Sequence, residues 1–328
     1  MQNEAISVDE LKRSTTIVNN ILGYYNSKVV GQPFLGAAIL VAMMSNGHIL
    51  MESVPGLAKT TAAKVMTDAV NGTFSRVQCT PDLIPSDIVG TQIYNSMTNS
   101  FENRIGPIYA NFVLLDEINR SSAKTQSAML EAMQEHAVTI GGQKYNMPDV
   151  FVVIATQNPI EQEGTYVLSE SQLDRFLLKV KLDYPNAVSE LEILNRIETG
   201  VLSSSNCVAT IEDMVFLQDM RKRIYMDDSI KRYIVDIVQA TRHTDNILPA
   251  ELAQYVDMGV STRGAITFME AAKAVAIING RTYCTPDDVK TIRYAVLGHR
   301  ISLNYAAIAD EIQVEKIIDA IIGAVPTP

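Results

Sequence analysis

The stretch His48 to Thr61, HILMESVPGLAKTT, decides the fold that the sequence predicts. It begins with an apolar run typical of a buried strand and turns at Pro55 and Gly56. It then continues through Lys59 and two threonines into Ala-rich helical sequence. A strand, a glycine turn, a Lys-Thr pair and a helix follow one another in this order in a P-loop, whose backbone N–H groups cradle phosphates.

The loop matches the pattern G-x-x-x-x-G-K-[ST] only in part, because Ser53 and Ala58 stand where the pattern has glycine. In a P-loop, Lys59 would reach the β- and γ-phosphates, and the hydroxyl of Thr60 would ligate Mg²⁺. An ordinary helix start remains the alternative on these residues alone. The predicted nucleotide-binding residues of the loop are Ser53, Val54, Pro55, Gly56, Leu57, Ala58, Lys59, Thr60 and Thr61.

The composition indicates a globular protein of one large or two ordinary domains. The 328 residues are 47% hydrophobic and 20% charged, which suits a sizeable core. No apolar run approaches the roughly 18 residues of a membrane span, and no signal-type segment opens the chain. Three widely separated cysteines without metal-type spacing favour a reducing cytoplasm. The net charge of −10 disfavours broad nucleic-acid binding, although it is compatible with a local basic patch.

Alternating strand-like and helical segments up to about residue 185 predict an α/β fold. The chain opens with an amphipathic helix, which has capping-box spacing between Ser7 and Glu10. Residues 90–105 and 138–147 have the pattern of two hairpins. We expect a parallel, doubly wound, five-stranded sheet sandwiched by helices. Its predicted strands are residues 49–51, 73–78, 111–115, 150–155 and 176–182.

The pattern changes at Tyr184-Pro185-Asn186, beyond which nearly every segment has a helical period. Thr285, directly before Pro286, has the character of a helix N-cap. We therefore predict an α/β domain of residues 1–185 and an all-helical domain of residues 186–328.

An acidic pair, Asp116-Glu117, follows the predicted strand 111–115. In a P-loop protein the first carboxylate holds the Mg²⁺ shell, and the second can orient or deprotonate the attacking water. Asn158 ends the next strand, where its amide could hold that water or contact the γ-phosphate. Acidic pairs are common at strand ends and asparagine is common in turns, so each residue alone also has an ordinary structural interpretation.

Two arginines are candidates for contact with phosphate. Arg175 precedes the last predicted strand and could act as an arginine finger on a neighbouring subunit, or pair with Asp174. Arg263 begins a helix of the second domain and could reach back to the nucleotide, or be a solvated surface residue.

Taken together, these segments resemble the MoxR-type AAA+ ATPases, of the helix-2-insert group of P-loop NTPases. The resemblance covers about residues 29–270. It is carried by LLDEINR at 114–120, KTQ at 124–126 and LEAMQE at 130–135, which resemble the family's Walker B block. ATQNP at 155–159 resembles its sensor 1, EGTY at 163–166 with LDRF at 173–176 its arginine-finger segment, and VSTR at 260–263 its sensor 2.

The resemblance implies an ATP- and Mg²⁺-dependent ATPase that works as a ring, with six subunits expected, and remodels or activates partner proteins. Those partners often contain a von Willebrand factor A-type domain. The helical end corresponds to the family's lid, and the segment with Val30 and Gly31 to the one that contacts adenine. The hairpins correspond to its helix-2 insert, about residues 88–106, and its pre-sensor-1 hairpin, about residues 137–148. Both face the pore or the substrate in such rings.

One residue departs from the family pattern. The family's loop usually reads Gly-Val-Pro-Gly-Leu-Ala-Lys-Thr, so Ala58 is ordinary for it and Ser53 is not. A serine there costs free energy only if that position needs a positive φ.

Two other function classes remain as alternatives to the remodelling ATPase. A nucleotide-binding scaffold with little turnover has Ser53 as its only support, and the intact Glu117 argues against it. A nucleic-acid motor is disfavoured by the charge of −10 and by the hairpin tip 95–100, which lacks lysine and arginine.

Overall fold

Two units make up the structure, a computed structural model that describes residues 5–54, 56–159, 165–200 and 206–328. The sheet unit comprises residues 17–176 and 180–216. The helical unit comprises the residues up to Thr16, residues 177–179 and residues 217–328. The predicted domain boundary near residue 185 stays a prediction.

The described residues up to Leu182 contain nine strands. They are β1 Ile49–Ser53, β2 Phe74–Gln78, β3 Gly90–Asn95, β4 Ser100–Ile105, β5 Phe112–Asp116, β6 Ala137–Ile140, β7 Gln143–Asn146, β8 Val152–Gln157 and β9 Leu178–Leu182. The helices that begin before residue 200 are α1 Val8–Lys28, α2 Pro33–Met44, α3 Lys59–Ala69, α4 Pro85–Val89, α5 Ala123–Glu135, α6 Glu170–Leu173 and α7 Ala187–Glu198.

The central sheet of the described residues has five strands in the order β2-β5-β8-β1-β9, which confirms the predicted fold class. The strands β2, β5, β8 and β1 pair in parallel. Every residue of β5 is buried, as expected for a parallel strand with helices on both faces. The register aligns Gln78 with Asp116, Leu115 with Ala155, and Met51 with Thr156. The carboxyl ends of these strands therefore meet at one edge.

Both predicted hairpins are present. The strands β3 and β4 pair in antiparallel register from Gly90 opposite Ile105, and β6 and β7 turn at Gly141 and Gly142. The φ angles of these glycines, 56° and 79°, are the positive values that a tight hairpin turn needs. Asn103 of β4 joins the two hairpins, because its amide donates to the Ile140 carbonyl at 3.0 Å.

The helix N-cap that the sequence predicts in the helical unit is present. The Thr285 side chain forms a capping box before Pro286. A pair of very short antiparallel strands also occurs, which periodicity did not predict because three and two residues are too few to show a period. The later elements are α8 Ile211–Arg223, α9 Asp228–Arg242, α10 Ala250–Ala253, β10 Val256–Met258, α11 Thr262–Ile278, α12 Pro286–Thr291, α13 Arg293–Leu297, β11 Ser302–Leu303, α14 Tyr305–Ala309 and α15 Val314–Ala324.

The three cysteines are all unpaired. Cys79 and Cys284 are buried, and burial raises the pKa of each thiol to about 12, whereas Cys207 is exposed.

Within the described ranges, no helix combines the length and the apolar character that crossing a membrane would require.

Candidate nucleotide site

The predicted phosphate loop joins the end of β1 to the start of α3. Within it, Gly56 has a φ of 86° and Ala58, the residue before the first turn of α3, has a φ of 53°. Left-handed residues beside right-handed ones turn successive N–H groups toward one point, which makes an anion-binding nest. Lys59 and Thr60 open the helix, where the unpaired N–H groups and the helix dipole favour a negative ligand. Pro55 lies outside the described residues.

Ser53 carries no backbone strain. It is the last residue of β1, is buried, and does not have a positive φ. Its hydroxyl donates to the carbonyl of Val54 at 3.2 Å. Among the described residues of this loop, the non-glycine residue with a left-handed conformation is instead Ala58, which the resemblance treats as ordinary.

Asp116 ends β5 at the edge where the strand ends meet, and both of its carboxylate oxygens have partners. The hydroxyl of Thr156 donates to Oδ1 at 2.7 Å. The guanidinium of Arg76, on the neighbouring strand β2, pairs with Oδ2 at 2.7 Å. The Asp116 side chain is only 12% exposed, whereas that of Arg76 is 49% exposed. A carboxylate held by partners at both oxygens keeps a fixed orientation.

Glu117 occupies a left-handed turn directly after β5, with φ 58° and ψ 54°. Its backbone N–H donates to the Thr156 hydroxyl oxygen at 2.8 Å. Its carboxylate accepts from the Gln78 amide at 3.1 Å and lies 3.4 Å from an Arg120 nitrogen. The predicted base is therefore oriented from both its backbone and its side chain.

Sequence reasoning missed Thr156, Arg76 and Gln78, which contact the acidic pair. Thr156 lay inside the quoted ATQNP segment but was given no role. Each of these residues lies about 40 positions from its partner, so the contacts follow from sheet register and not from local spacing. The detectable signal was a threonine at the end of a buried apolar strand whose neighbour ends in Asp-Glu.

The other predicted site residues lie in three places. Asn158 directly follows β8 and is buried. Arg175 follows α6 and lines an open depression of about 540 Å³ with Glu131 and Glu135 of α5. Arg263 belongs to the helical unit, where it is exposed in the first turn of α11.

The predicted adenine segment lies between α1 and α2. Gly31 has a φ of 76°, and a Cβ added to it would lie 3.1 Å from Oγ of Ser189 in α7. The Gln32 amide donates to the Asp183 carbonyl at 3.1 Å. The segment around Val30 and Gly31 is therefore held against the chain that follows β9.

The residues suit Mg²⁺ and ATP chemically. Mg²⁺ prefers oxygen ligands, keeps several waters, and is usually bound by one or two carboxylates together with substrate phosphates. The Thr60 hydroxyl and the Asp116 carboxylate provide that kind of donor set. No cluster of three or more His, Cys, Asp or Glu side chains occurs among the described residues, so an all-protein metal cage is not the arrangement found there.

The fold and the loop define an AAA-type nucleotide-binding protein. Residues 48–178 match the model of the "ATPase family associated with various cellular activities (AAA)", and residues 250–321 match that of the AAA lid domain. The chain belongs to the MoxR family of AAA ATPases, as the sequence predicted. It is 43% identical over 313 residues to YeaC of Bacillus subtilis, covering 95% of each chain. It is also 43% identical to chaperone MoxR1 of Mycobacterium tuberculosis, covering 92% of this chain and 79% of that protein.

A solved structure supports the fold. The crystal structure of a candidate ATPase from Cytophaga hutchinsonii matches with a TM-score of 0.91 and 39% identity. The match covers 98% of this chain and 97% of that one.

Proposed function

We propose that this protein binds and hydrolyses Mg²⁺-ATP and uses the free energy to remodel partner proteins as a ring, with six subunits expected. One observation carries the proposal. The strand β1, which leads into the phosphate loop, lies beside β8, and β8 lies beside β5, which ends at Asp116; both pairs are parallel. Lys59, the acidic pair and Asn158 consequently share one sheet edge, which is what nucleotide hydrolysis requires of them.

The proposed roles follow from chemistry and position. Bound Mg²⁺ would neutralise charge on the β- and γ-phosphates. Lys59 supplies a positive charge at the helix N-terminus to those phosphates, and Thr60 and Asp116 supply oxygen donors to the cation. Glu117 accepts the proton of the attacking water, and Asn158 orients that water by hydrogen bonding. Val30, Gly31 and Arg263 complete the contacts to the nucleotide in this proposal.

The partner-binding surface is assigned to the β3–β4 hairpin. Its exposed side chains include Met97 at 96% and Phe101 at 67%, and Tyr94 packs edge-on against Phe101. Exposed apolar side chains around a tip that lacks lysine and arginine suit a protein segment better than a phosphate backbone. The name of the relative MoxR1 describes it as a chaperone. We also propose that the partner contains a von Willebrand factor A-type domain. A cytoplasmic location is proposed as well, and the three unpaired cysteines support it.

A steady-state ATPase assay with two variants tests the proposal. Lys59→Ala removes a charge from the phosphates and should weaken ATP binding. Glu117→Gln keeps the shape of the side chain but cannot accept a proton, so it should bind ATP and hydrolyse it at least tenfold more slowly. Equal turnover by the wild type and Glu117→Gln would remove Glu117 from the mechanism.

A scaffold with little turnover is the second candidate, because the Glu117 carboxylate is already engaged by Gln78 and Arg120. The same assay separates the candidates. Tight ATP binding with no turnover, with and without candidate protein partners, would favour the scaffold. Stimulation of turnover by nucleic acid would favour the motor.

A further inference from the structure

A single buried hydroxyl connects the two acidic residues of the site. Thr156 lies in β8 and is fully buried. Its hydroxyl donates to Oδ1 of Asp116 at 2.7 Å and accepts the N–H of Glu117 at 2.8 Å. These two bonds use the single donor and one acceptor position of the hydroxyl. Both partners come from the adjacent strand end, so the arrangement follows from the β5–β8 register.

Each of the two bonds controls a different property of the site. The bond to Oδ1 fixes the plane of the Asp116 carboxylate and leaves Oδ2 toward β2 and Arg76. The bond from the Glu117 N–H supports a left-handed backbone, which a residue with a side chain adopts only when its surroundings hold it there. Since one oxygen atom makes both bonds, a displacement of Asp116 is transmitted to the backbone of Glu117.

We propose that Thr156 is a positioning residue that couples the Mg²⁺ carboxylate Asp116 to the placement of the hydrolytic base Glu117. The inference rests on the proposed ATPase function. It assigns to β8 a role separate from that of Asn158, because Thr156 acts through Asp116 and Glu117 and not on the nucleotide.

The chain offers a matched control at Thr67. This threonine of α3 is also buried, but its hydroxyl donates only to the carbonyl of Ala63, within its own helix, at 2.9 Å. Thr67→Val therefore removes a buried hydroxyl from the same unit without touching the acidic pair. Valine has nearly the shape of threonine, so both substitutions preserve packing.

The experiment compares Thr156→Val, Thr156→Ser and Thr67→Val with the wild type. One measurement is kcat and KM for ATP. The other is the Mg²⁺ concentration that gives half-maximal binding of a fluorescent ATP analogue. We expect Thr156→Val to lower kcat at least tenfold and to raise the Mg²⁺ midpoint at least threefold, with KM at saturating Mg²⁺ changed less than twofold. Thr156→Ser should keep at least a third of kcat, and Thr67→Val should match the wild type.

A double variant tests whether Thr156 acts through Glu117. Thr156→Val combined with Glu117→Gln should be no slower than Glu117→Gln alone, because the base has already been removed. A further tenfold loss would overturn the inference, as would equal impairment of Thr156→Ser and Thr156→Val. If Thr156→Val does not fold, Thr156→Ala is assayed in the same way. The inference would also be overturned if Thr156→Val, or Thr156→Ala in its place, kept the wild-type kcat and the wild-type Mg²⁺ midpoint. A wild-type protein without ATPase activity would instead contradict the proposed function.

Discussion

Ser53 and Ala58 show how one loop can depart from its pattern at two positions with different consequences. Ser53 takes the place of a glycine but lies in extended backbone, so its side chain adds no left-handed strain. Ala58 adopts the conformation that glycine favours, at a cost of roughly 1 to 2 kcal/mol relative to a right-handed residue.

We expect Ser53→Gly to leave nucleotide affinity within about twofold of the wild type. The variant should lose roughly 0.5 to 1 kcal/mol of unfolding free energy, because glycine in a strand restricts more backbone freedom on folding. Titration with a fluorescent nucleotide and urea unfolding measure the two quantities. Weaker nucleotide binding by the glycine variant would indicate that the Ser53 hydroxyl contacts the ligand.

Arg76 should set the Mg²⁺ requirement of the site. Its guanidinium pairs with Oδ2 of Asp116, so it competes electrostatically with a cation at that carboxylate. Arg76 is about half exposed and the interaction is screened, so we expect Arg76→Gln to lower the Mg²⁺ midpoint for nucleotide binding only about two- to fivefold.

A control for Arg76→Gln is Arg232→Gln, which removes the same charge from an exposed position of α9. This control should leave the Mg²⁺ midpoint unchanged. A midpoint that rises in Arg76→Gln would mean that Arg76 supports the carboxylate more than it competes with the metal.

At the scale of the element, local sequence patterns predicted individual helices and hairpins, whereas the register between strands determined the contacts of the site. Local residues set both ends of the helix Ala123–Glu135, because the Ser122 side chain caps its start and His136 ends it in a left-handed conformation. The hairpin over residues 138–147 was predicted from the local sequence, and it turns at Gly141 and Gly142. The contacts that Thr156, Arg76 and Gln78 make with the acidic pair were not predicted, because they depend on the order of the strands in the sheet. The strands β10 and β11 escaped notice because they are too short to show alternation.

The start of β1 provides a prediction about pH. His48 is buried, its Nδ1 accepts the N–H of Val153 at 3.0 Å, and its Nε2 donates to the carbonyl of Met133 at 3.0 Å. Only the neutral ring can accept at Nδ1. In agreement, burial lowers the pKa of His48 from 6.5 to about 3.

The sign of the pH dependence follows from this lowered pKa. Between about pH 6.5 and pH 3 the unfolded chain binds a proton at His48 that the folded chain does not, so acidification favours unfolding. His48→Leu should cost about 2 to 4 kcal/mol at pH 7, since it orphans two buried backbone groups. The difference from the wild type should shrink as the pH falls below 6.5. Urea unfolding from pH 7.5 to pH 5 measures it, and a constant difference would contradict the neutral-ring assignment.

At the scale of the whole molecule, Arg175 carries the prediction about assembly. We expect it to act on the nucleotide of a neighbouring subunit, because an arginine fork suits the spread charge of the transferring phosphoryl group. Arg175→Ala should then lower turnover at least tenfold while each subunit still binds ATP, and wild-type turnover per subunit should rise with protein concentration.

Mixing variants makes the sharper test of Arg175. Arg175→Ala lacks the proposed finger and Lys59→Ala lacks the nucleotide, so each alone should be inactive. In a mixed ring, an ATP-bound Arg175→Ala subunit can lie beside a Lys59→Ala neighbour that supplies an intact Arg175. Partial recovery of turnover would support action between subunits. If subunits exchange and no turnover returns, Arg175 acts within its own chain or supports the structure through Asp174.

Because the three cysteines differ in burial, the exchange of subunits between assemblies can be measured without engineering the chain. Cys79 and Cys284 are buried and resist ionisation, so a maleimide dye at neutral pH should attach selectively to the exposed Cys207. One preparation can carry a donor fluorophore and another an acceptor. Energy transfer that grows after mixing would report subunits entering common assemblies and give the time after which the mixed-variant assay should be read.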